Sequence, residues 1–333
     1  MPRVTRSSTA SRISLFVGAG VLVGLAAAPW WAGRADMRLM SEIYLYLSLA
    51  TLWNLMAGYA GLVSVGQQAY VGFGGYMLFA LAIFAGFNPV VAILLGGVLA
   101  ALISIPIATL VFRLKGAYFA IGTWVIAEVF RLSFAQIQAL GGGSGSSLPV
   151  AIVKEIGAKK AVREANSYWL ALGAAVAILT AVYFFLRSRR GLALTAIRDS
   201  ETAASGLGID IWRTKLEVYV VTSAFTAIIG GLIFLQKLRI SPDAAFSVND
   251  WTAFVIFIVV IGGIGTLEGP IIGTLLFFLL REILADFGTI YLLVLGFVAI
   301  IVMIKAPKGV WGLIRDRYDL ELFPLSYRVQ TKD

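Results

Sequence analysis

Between Glu42 and Arg113 the chain runs for 70 residues without an Asp, Glu, Lys or Arg. A helix needs about 20 predominantly apolar residues to cross the hydrocarbon core of a bilayer. One charged side chain near the bilayer centre costs roughly 2.5–3.5 kcal/mol on insertion scales. The uncharged run is long enough for about three crossings, and it therefore predicts an all-α polytopic membrane protein.

The composition of the whole chain agrees with this class and excludes several chemistries. The 333 residues are 59% hydrophobic and 14% charged, whereas soluble domains carry about 25% charged residues. The chain has neither Cys nor His, which removes disulfides, zinc sites and Ser-His-Asp or Cys-His catalysis. We therefore predict no metal site, no catalytic residue and no enzyme activity. Lys and Arg in cytoplasmic loops explain the net charge of +9 without nucleic acid as a partner.

The hydropathy pattern predicts about ten spans in a transmembrane domain, residues 13–304, between tails at 1–12 and 305–333. An alternative for the first span is a signal peptide with small residues at 26–28, but its apolar core is long and more spans follow. The weakest span is the ninth, because only 12 uncharged residues separate Glu268 from Arg281. The predicted spans are 13–31, 39–57, 66–87, 89–112, 116–136, 167–186, 217–236, 251–267, 270–286 and 288–304.

The distribution of basic residues sets the predicted orientation. With the N-terminus in the cytoplasm, 17 of the 27 Lys and Arg fall inside and 8 outside, while Arg131 and Arg281 lie within spans. Cytoplasmic loops carry the excess of Lys and Arg in membrane proteins. Both termini are therefore predicted to be cytoplasmic.

Two loops stand out between the predicted spans. Residues 137–166 lie outside and contain a Gly-Ser-rich run at 141–147. Residues 187–215 lie inside and are basic, and there Asp199 or Ser200 is suited to cap a short helix that begins with Glu201 and ends near Gly206. A solvated basic loop is the alternative interpretation of 187–215.

Glycine interrupts the helical pattern once in each half of the chain, at residues 58–75 and 262–273. Such interruptions at corresponding places are the best sequence pointer to a transport pathway, because irregular backbone at membrane depth survives only beside protein or a water-filled cavity. Tight helix packing is the alternative for any single glycine. The candidate pathway residues are Ser64, Gly66, Gln67, Gln68, Tyr70, Gly262 and Gly263.

Other polar and aromatic residues lie within or beside the spans, and each has a structural interpretation. Glu128 and Arg131 lie three apart on one helix face, so they are a candidate intramembrane ion pair. Asn54 is expected to form an interhelical hydrogen bond. Aromatic residues at predicted span ends are typical of the interfacial belt, and they are Trp30, Trp31, Tyr168, Trp169, Trp251 and Trp311.

Several stretches together resemble the LivM-type permease subunits of the branched-chain amino-acid ABC importers, over nearly all of residues 40–315. These stretches are the glycine-rich segment 58–76, RLKGAYFAI at 113–121, the basic loop 191–208 with AIRD and ETAA, IGGIGTLEGP at 261–270 and PKGV at 307–310. Two features depart from the family pattern. Gln67 stands where the family often has His, and a GGGSGSSL run at 141–148 replaces the usual TGGSxGL motif.

The resemblance implies a transport subunit without its own ATPase site, in a bacterial inner membrane. ATP and magnesium would bind two partner ATPases, and no cofactor would bind this chain. A second, LivH-type permease, a periplasmic binding protein and membrane lipid complete the expected partners. Residues 198–208 would form one coupling helix in a groove of the ATPase, and the implied coupling residues are Arg198, Asp199, Glu201, Ala203, Ala204, Gly206 and Gly208.

The family assignment leaves substrate and pairing open. Leucine, isoleucine and valine are the expected substrates, with urea or short amides as the alternative within the same architecture. An ion-coupled secondary transporter is the alternative from another class, and a membrane-embedded enzyme is excluded by the missing His and Cys. We expect Gln67 to face a partner permease across the pathway, and the sequence leaves open whether that partner is a second copy of this chain.

Overall fold

Helices form almost all of the regular structure in the computed structural model, which describes residues 3–5, 9–284, 287, 290–318, 322–323 and 328–330. The first half contains α1 Thr9–Ala26, α2 Ala28–Trp31, α3 Arg34–Asn54, α4 Gln67–Phe84, α5 Pro89–Val111, α6 Ala117–Ala135, α7 Val150–Ile156 and α8 Lys160–Arg187. The second half contains α9 Arg189–Asp199, α10 Glu201–Gly206, α11 Ile211–Lys237, α12 Pro242–Ala245, α13 Phe254–Gly262, α14 Glu268–Ile283, α15 Ile290–Lys305 and α16 Gly309–Tyr318.

Short irregular elements connect these helices. They include the π-helical turns Leu55–Tyr59 and Asn249–Ala253 and the 3₁₀ turns Gln138–Leu140 and Gly142–Ser144. Strand β1, Arg3–Thr5, pairs antiparallel with β4, Arg328–Gln330. Strand β2, Ser146–Ser147, pairs antiparallel with β3, Arg239–Ile240. The pairings join the two chain termini and join the two loops that precede α7 and α12.

The helix ends follow local capping chemistry. Asn88 accepts a hydrogen bond from the Val90 N–H, and Pro89 occupies the first turn of α5. Asp210 accepts from the Arg213 N–H at the start of α11. Each cap satisfies one N–H that has no partner within the helix.

Among the described residues, six helical stretches are long and apolar enough to cross a membrane, which makes the chain an all-helical polytopic membrane protein. They are residues 89–111, 117–135, 160–187, 211–237, 242–262 and 292–318. The predicted spans 39–57 and 66–87 also lie on helical segments, in α3 with its π turn and in α4. Ten crossings remain a prediction, and predicted span residues 285–286 and 288–289 lie outside the described residues.

The structure corrects the boundaries of two predicted spans. The helix predicted over 251–267 ends at Gly262, because Gly263 adopts a φ of 133°, which side chains larger than hydrogen rarely tolerate. The helix predicted over 13–31 is divided at Ala27, and Pro29 lies in the first turn of α2. Proline has no N–H to donate and is tolerated there.

The centre of the bundle is α11, which packs against α3, α4 and α5. Glycines allow the backbones to approach closely: a Cβ on Gly74 would lie 1.8 Å from the Ala227 carbonyl oxygen, and one on Gly230 would lie 2.1 Å from that of Val71. Small residues at helix crossings are the usual means of packing in membranes. The lipid-like outer surface includes exposed α5 side chains such as Leu94, Leu102 and Leu110.

The predicted aromatic belt is correct for part of its members only. Trp30, Trp31 and Trp169 are exposed, whereas Tyr168, Trp251 and Trp311 are buried within the bundle. The Tyr168 hydroxyl donates to the Leu25 carbonyl at 2.7 Å, and the Trp251 indole N–H donates to the Ala244 carbonyl at 2.8 Å. Burial with a satisfied polar tip explains why these rings prefer the interior to the interface.

Candidate functional site

The first glycine-rich segment leaves helical geometry at one end of α3. The π turn Leu55–Tyr59 follows α3, Gly61 adopts a φ of 68°, and α4 begins only at Gln67. Within this break, the Ser64 Oγ accepts from the Gly66 N–H at 3.1 Å, and the Trp53 indole donates to the Ser64 carbonyl at 2.8 Å. Buried backbone polar groups in the break therefore find partners in side chains.

The second glycine-rich segment meets the first at Asn54, the last residue of α3. The Asn54 amide donates to the Thr266 carbonyl at 2.7 Å, and its Oδ1 accepts from the Gly265 N–H at 2.8 Å. A Cβ on Gly58 would lie 2.5 Å from the Gly265 nitrogen, so only glycine permits this approach. The sequence interpretation of Asn54 as a hydrogen-bond partner is confirmed. Its partners are backbone groups of a turn rather than another helix side chain.

Arg198, at the end of α9, contacts the first glycine-rich segment and lies close to the second. Its guanidinium donates to the Gly58 carbonyl at 2.9 Å, and a Cβ on Gly265 would lie 3.4 Å from the same nitrogen. The side chain also donates to the Asp199 carboxylate at 3.0 Å. A residue predicted to face a partner ATPase thus points toward the transmembrane helices.

The adjacent amides Gln67 and Gln68 are buried inside this chain, at 5% and 1% exposure. Gln67 donates to the Leu49 carbonyl at 3.0 Å, and Gln68 accepts from the Thr252 hydroxyl. The structure therefore differs from the expectation that Gln67 faces a partner permease. Gln67 lies in the first turn of α4, and this turn packs against α3, so the side chain is not at the surface. The Gln67 Oε1 and the Gln68 Nε2 are buried without a hydrogen-bond partner among the described residues.

A cavity of about 10 Å³ lies beside Gln67, between α3, α4 and α11. Its polar lining includes the Ser64 and Ser223 hydroxyls and Tyr70, whose hydroxyl donates to that of Tyr219 at 3.0 Å. This volume holds about one water molecule. The structure thus brings Ser64, Gly66, Gln67 and Tyr70 together around one small polar cavity, while Gln68 bonds to the π turn before α13.

Gly262 and Gly263 lie apart from this cavity, at the crossing of α13 and α14. A Cβ on Gly262 would lie 1.9 Å from the Gly269 carbonyl oxygen, and one on Gly273 would lie 1.9 Å from that of Ile258. These contacts are those of close helix packing, which was the alternative interpretation. Four of the seven candidate pathway residues therefore line the cavity, Gln68 bonds to Thr252, and the two late glycines serve helix packing.

The predicted coupling helix is two helices in the structure. Residues 198–208 comprise the end of α9, a break at Ser200 and the short helix α10. Ser200 caps α10 by accepting from the Ala203 N–H at 3.2 Å, which confirms one of the two capping candidates. The break has a physical cause, because Ser200 takes an extended conformation with φ −161° to present its hydroxyl.

The α10 segment presents most of its residues to solvent. Glu201, Ala203, Gly206 and Gly208 are exposed, whereas Ala204 is buried against the bundle. Glu201 pairs with Lys215 at 2.5 Å, which ties α10 to the first turn of α11. The adjacent Leu207 has 79% of its surface exposed.

The predicted ion pair of α6 forms, and it includes a third member. The Arg131 guanidinium contacts Glu128 at 2.6 Å and Asp243 at 2.8 Å. Asp243 precedes α13 by eleven residues in sequence and is brought to α6 by α12. The pair therefore links two elements, as expected of a packing role.

Sequence reasoning gave no contact for three further charged residues, Arg281, Glu42 and Glu268. Arg281 forms a bidentate pair with Glu42, at 2.7 and 3.0 Å, which joins α14 to α3. Glu268 is 6% exposed and accepts from the Leu322 and Phe323 N–H groups. Burial raises the pKa of the Glu268 carboxyl, and these backbone donors oppose that shift. The signal available for the first pair was only that each residue lies near one end of a predicted span.

The described residues contain no group of three or more His, Cys, Asp or Glu side chains placed to hold a metal ion. The geometry comprises a helical membrane bundle, two converging glycine-rich turns and an exposed capped helix beside them. These features define a multi-spanning membrane protein of the transporter type.

The chain belongs to the family described as the permease component of the branched-chain amino acid transport system, whose model matches residues 37–304. It is a transport subunit of the ABC type rather than an enzyme. The high-affinity branched-chain amino acid transport system permease proteins LivM of Salmonella typhimurium and Escherichia coli are 28% and 27% identical to it, over 87% of this chain and 72% of theirs.

An archaeal relative has the same type of name. The probable branched-chain amino acid transport permease protein LivM of Methanocaldococcus jannaschii is 26% identical over 72% of this chain and 78% of its own length. A probable LivH permease of that organism is 24% identical over 41% of this chain and 46% of its own length. No solved structure matches the chain.

Proposed function

We propose that this chain imports leucine, isoleucine and valine as the M-type permease of an importer driven by partner ATPases. The LivM relatives, similar over most of their length, support the substrate class. The observation that carries the ATPase coupling is α10, a capped and exposed helix that follows α9, whose Arg198 bonds to the first glycine-rich turn. A LivH-type permease and a periplasmic binding protein complete the proposed assembly.

We propose a membrane topology with both termini in the cytoplasm of a bacterial inner membrane, which the distribution of Lys and Arg supports. The pairing of β1 with β4 near the two ends of the chain supports an even number of crossings. The pairing of β2 with β3 supports a common side for the loops at 146–147 and 239–240. The predicted ten-span topology satisfies both constraints, since it puts those loops outside.

The α10 helix is proposed to dock on the ATPase. Glu201→Gln breaks the pair with Lys215, and Gly206→Leu adds a side chain where a Cβ meets no atom within 4 Å. Both variants should keep the fold and lose uptake while ATP hydrolysis continues. Gly143→Leu, at a position equally free of neighbours in the loop between α6 and α7, is the matched control. Wild-type uptake by both α10 variants would remove α10 from the coupling role.

The substrate pathway is proposed to include the small polar cavity beside Gln67. The cavity of about 10 Å³ is too small for an amino acid, so α4 and α11 must separate during transport. Gln67→Cys in this cysteine-free chain should react with a small thiol reagent only while the importer turns over, and leucine should slow that reaction. Reaction at the same rate with and without turnover would place the pathway elsewhere.

The decisive experiment is uptake by proteoliposomes that contain this chain, its proposed partners and the binding protein. ATP-dependent, vanadate-sensitive uptake of labelled leucine would support the proposal in full. Urea uptake in place of leucine would keep the architecture and change the substrate. Uptake driven by an ion gradient without an ATPase would overturn the coupling proposal.

A further inference from the structure

Arg198 lies where three parts of the chain meet, although sequence reasoning grouped it with the residues that touch the ATPase. The first part is α9, the second is the π turn that contains Gly58, and the third is the turn at Gly265. We propose that Arg198 is a positioning residue that ties α9 to the first glycine-rich turn, and through Asn54 to the second, so that displacement of the coupling segment moves the transmembrane helices. This inference rests on the function proposed above.

Helix α9, which carries Arg198, is packed against the bundle. Leu194 and Ile197 on α9 are buried, at 0% and 2% exposure. A Cβ on Gly191 would lie 2.3 Å from the Leu186 carbonyl oxygen, so α9 also packs directly onto the end of α8. Arg198 extends from the last turn of α9, where a cation is favoured by the helix dipole.

The far end of the connection is a backbone carbonyl without a regular helical role. Gly58 lies in the π turn, and the Arg198 guanidinium donates to its carbonyl oxygen at 2.9 Å. The aliphatic part of the side chain lies 3.6 Å from the position of a Cβ on Gly61. Carbonyl groups at a helix end need such donors, and this donor comes from a different segment of the chain.

Asn54 extends the link to the second glycine-rich turn. It holds Gly265 and Thr266 by two hydrogen bonds of 2.8 and 2.7 Å, and the guanidinium lies 3.4 Å from the position that a Cβ on Gly265 would occupy. A shift of α9 along its axis therefore acts on the helix pair α3–α4 and on the pair α13–α14 at the same point. Rigid helices moving together about such a junction are one of the recognised forms of domain rocking.

The planar guanidinium is essential to this arrangement. It donates to Gly58 and to the Asp199 carboxylate at the same time, and a lysine ammonium is a single point with no fork. Arg198→Gln removes the link, and Arg198→Lys retains one contact at most. Arg189→Gln is the matched control, because it removes the same charge from an exposed position in the first turn of the same helix.

The test compares hydrolysis and uptake in the same reconstituted importer. Arg198→Gln should hydrolyse ATP within about twofold of the wild-type rate, while leucine uptake per ATP falls about tenfold. A tenfold change corresponds to about 1.4 kcal/mol, which is close to the contribution of one hydrogen bond from a charged group. Arg198→Lys should be intermediate, and Arg189→Gln should match wild type. Uptake per ATP at the wild-type ratio in Arg198→Gln would overturn the inference. Absence of ATP-driven uptake in wild type would instead refute the proposed function.

A second measurement needs no Arg198 variant and stands if that variant fails to assemble. Spin labels at Val63→Cys and Leu192→Cys report the distance between the first glycine-rich turn and α9, and both positions are exposed. The distance should stay constant between the ATP-free and vanadate-trapped importer, because the two segments move as one. A change of more than about 5 Å, the rise of one helical turn, would show that they move independently.

Discussion

Replacement of Asn54 tests whether the two glycine-rich turns are held together by one amide. Asn54 is 1% exposed and makes two hydrogen bonds to the backbone of the second turn, at 2.7 and 2.8 Å. Interhelical hydrogen bonds within membranes contribute about 0.6 kcal/mol on average and up to about 1.7 kcal/mol each. Asn54→Ala should therefore lower the free energy of unfolding by about 1–3 kcal/mol, before any cavity cost.

The assay is thermal and denaturant unfolding of the purified chain in detergent, with two companion variants. Asn54→Asp keeps the acceptor for the Gly265 N–H but places a carboxylate oxygen against the Thr266 carbonyl, so it should destabilise at least as much as alanine. Gln136→Ala, at an exposed amide, should change stability by less than about 0.5 kcal/mol. Equal stability of Asn54→Ala and Gln136→Ala would refute the argument that Asn54 holds the turns together.

Three further predictions follow from single contacts. Gly74→Ala should destabilise the bundle by about 1–3 kcal/mol because its Cβ meets an α11 carbonyl at 1.8 Å, whereas Gly173→Ala, where a Cβ meets nothing within 4 Å, should be neutral or stabilising in the same unfolding assay. Burial raises the pKa of the Glu268 carboxyl above its ordinary value of 4.5, so ionisation of this carboxyl destabilises the fold. The stability of Glu268→Gln relative to wild type should therefore increase as pH rises above 4.5, and a pH-independent difference would contradict this. Glu42→Gln should weaken the bidentate pair with Arg281. When Glu42 and Arg281 are both replaced by Gln, the loss of unfolding free energy should differ from the sum of the two single losses.

Local sequence signals predicted the membrane class and several helix ends. The uncharged run of residues 43–112 could be read directly as helices, because the cost of a charge in lipid is a property of each residue by itself. The Ser200 cap of α10 was predictable for the same reason, since a cap involves residues three positions apart. The break at Ser200 was not predicted, although the cap that requires it was.

The side-chain environment of the candidate site was less predictable. Adjacent glutamines in an apolar segment showed that some partner must exist, but a cavity, a second subunit and the interior of the same bundle all satisfy that need. The structure assigns the Leu49 carbonyl to Gln67 and the Thr252 hydroxyl to Gln68. Those partners lie 18 and 184 residues away along the chain, so helix packing decides them.

The sequence by itself determined the membrane class, the approximate positions of several helices and the family. Hydropathy, capping and short motifs depend on neighbouring residues, which is why the sequence is sufficient for them. Only the tertiary structure decided what the glycine-rich segments contact. Their approach depends on the missing Cβ atoms of Gly58 and Gly265 and on one amide at Asn54. Contacts between segments some 200 residues apart are set by how the helices pack, and Arg198 joins that junction from a third segment.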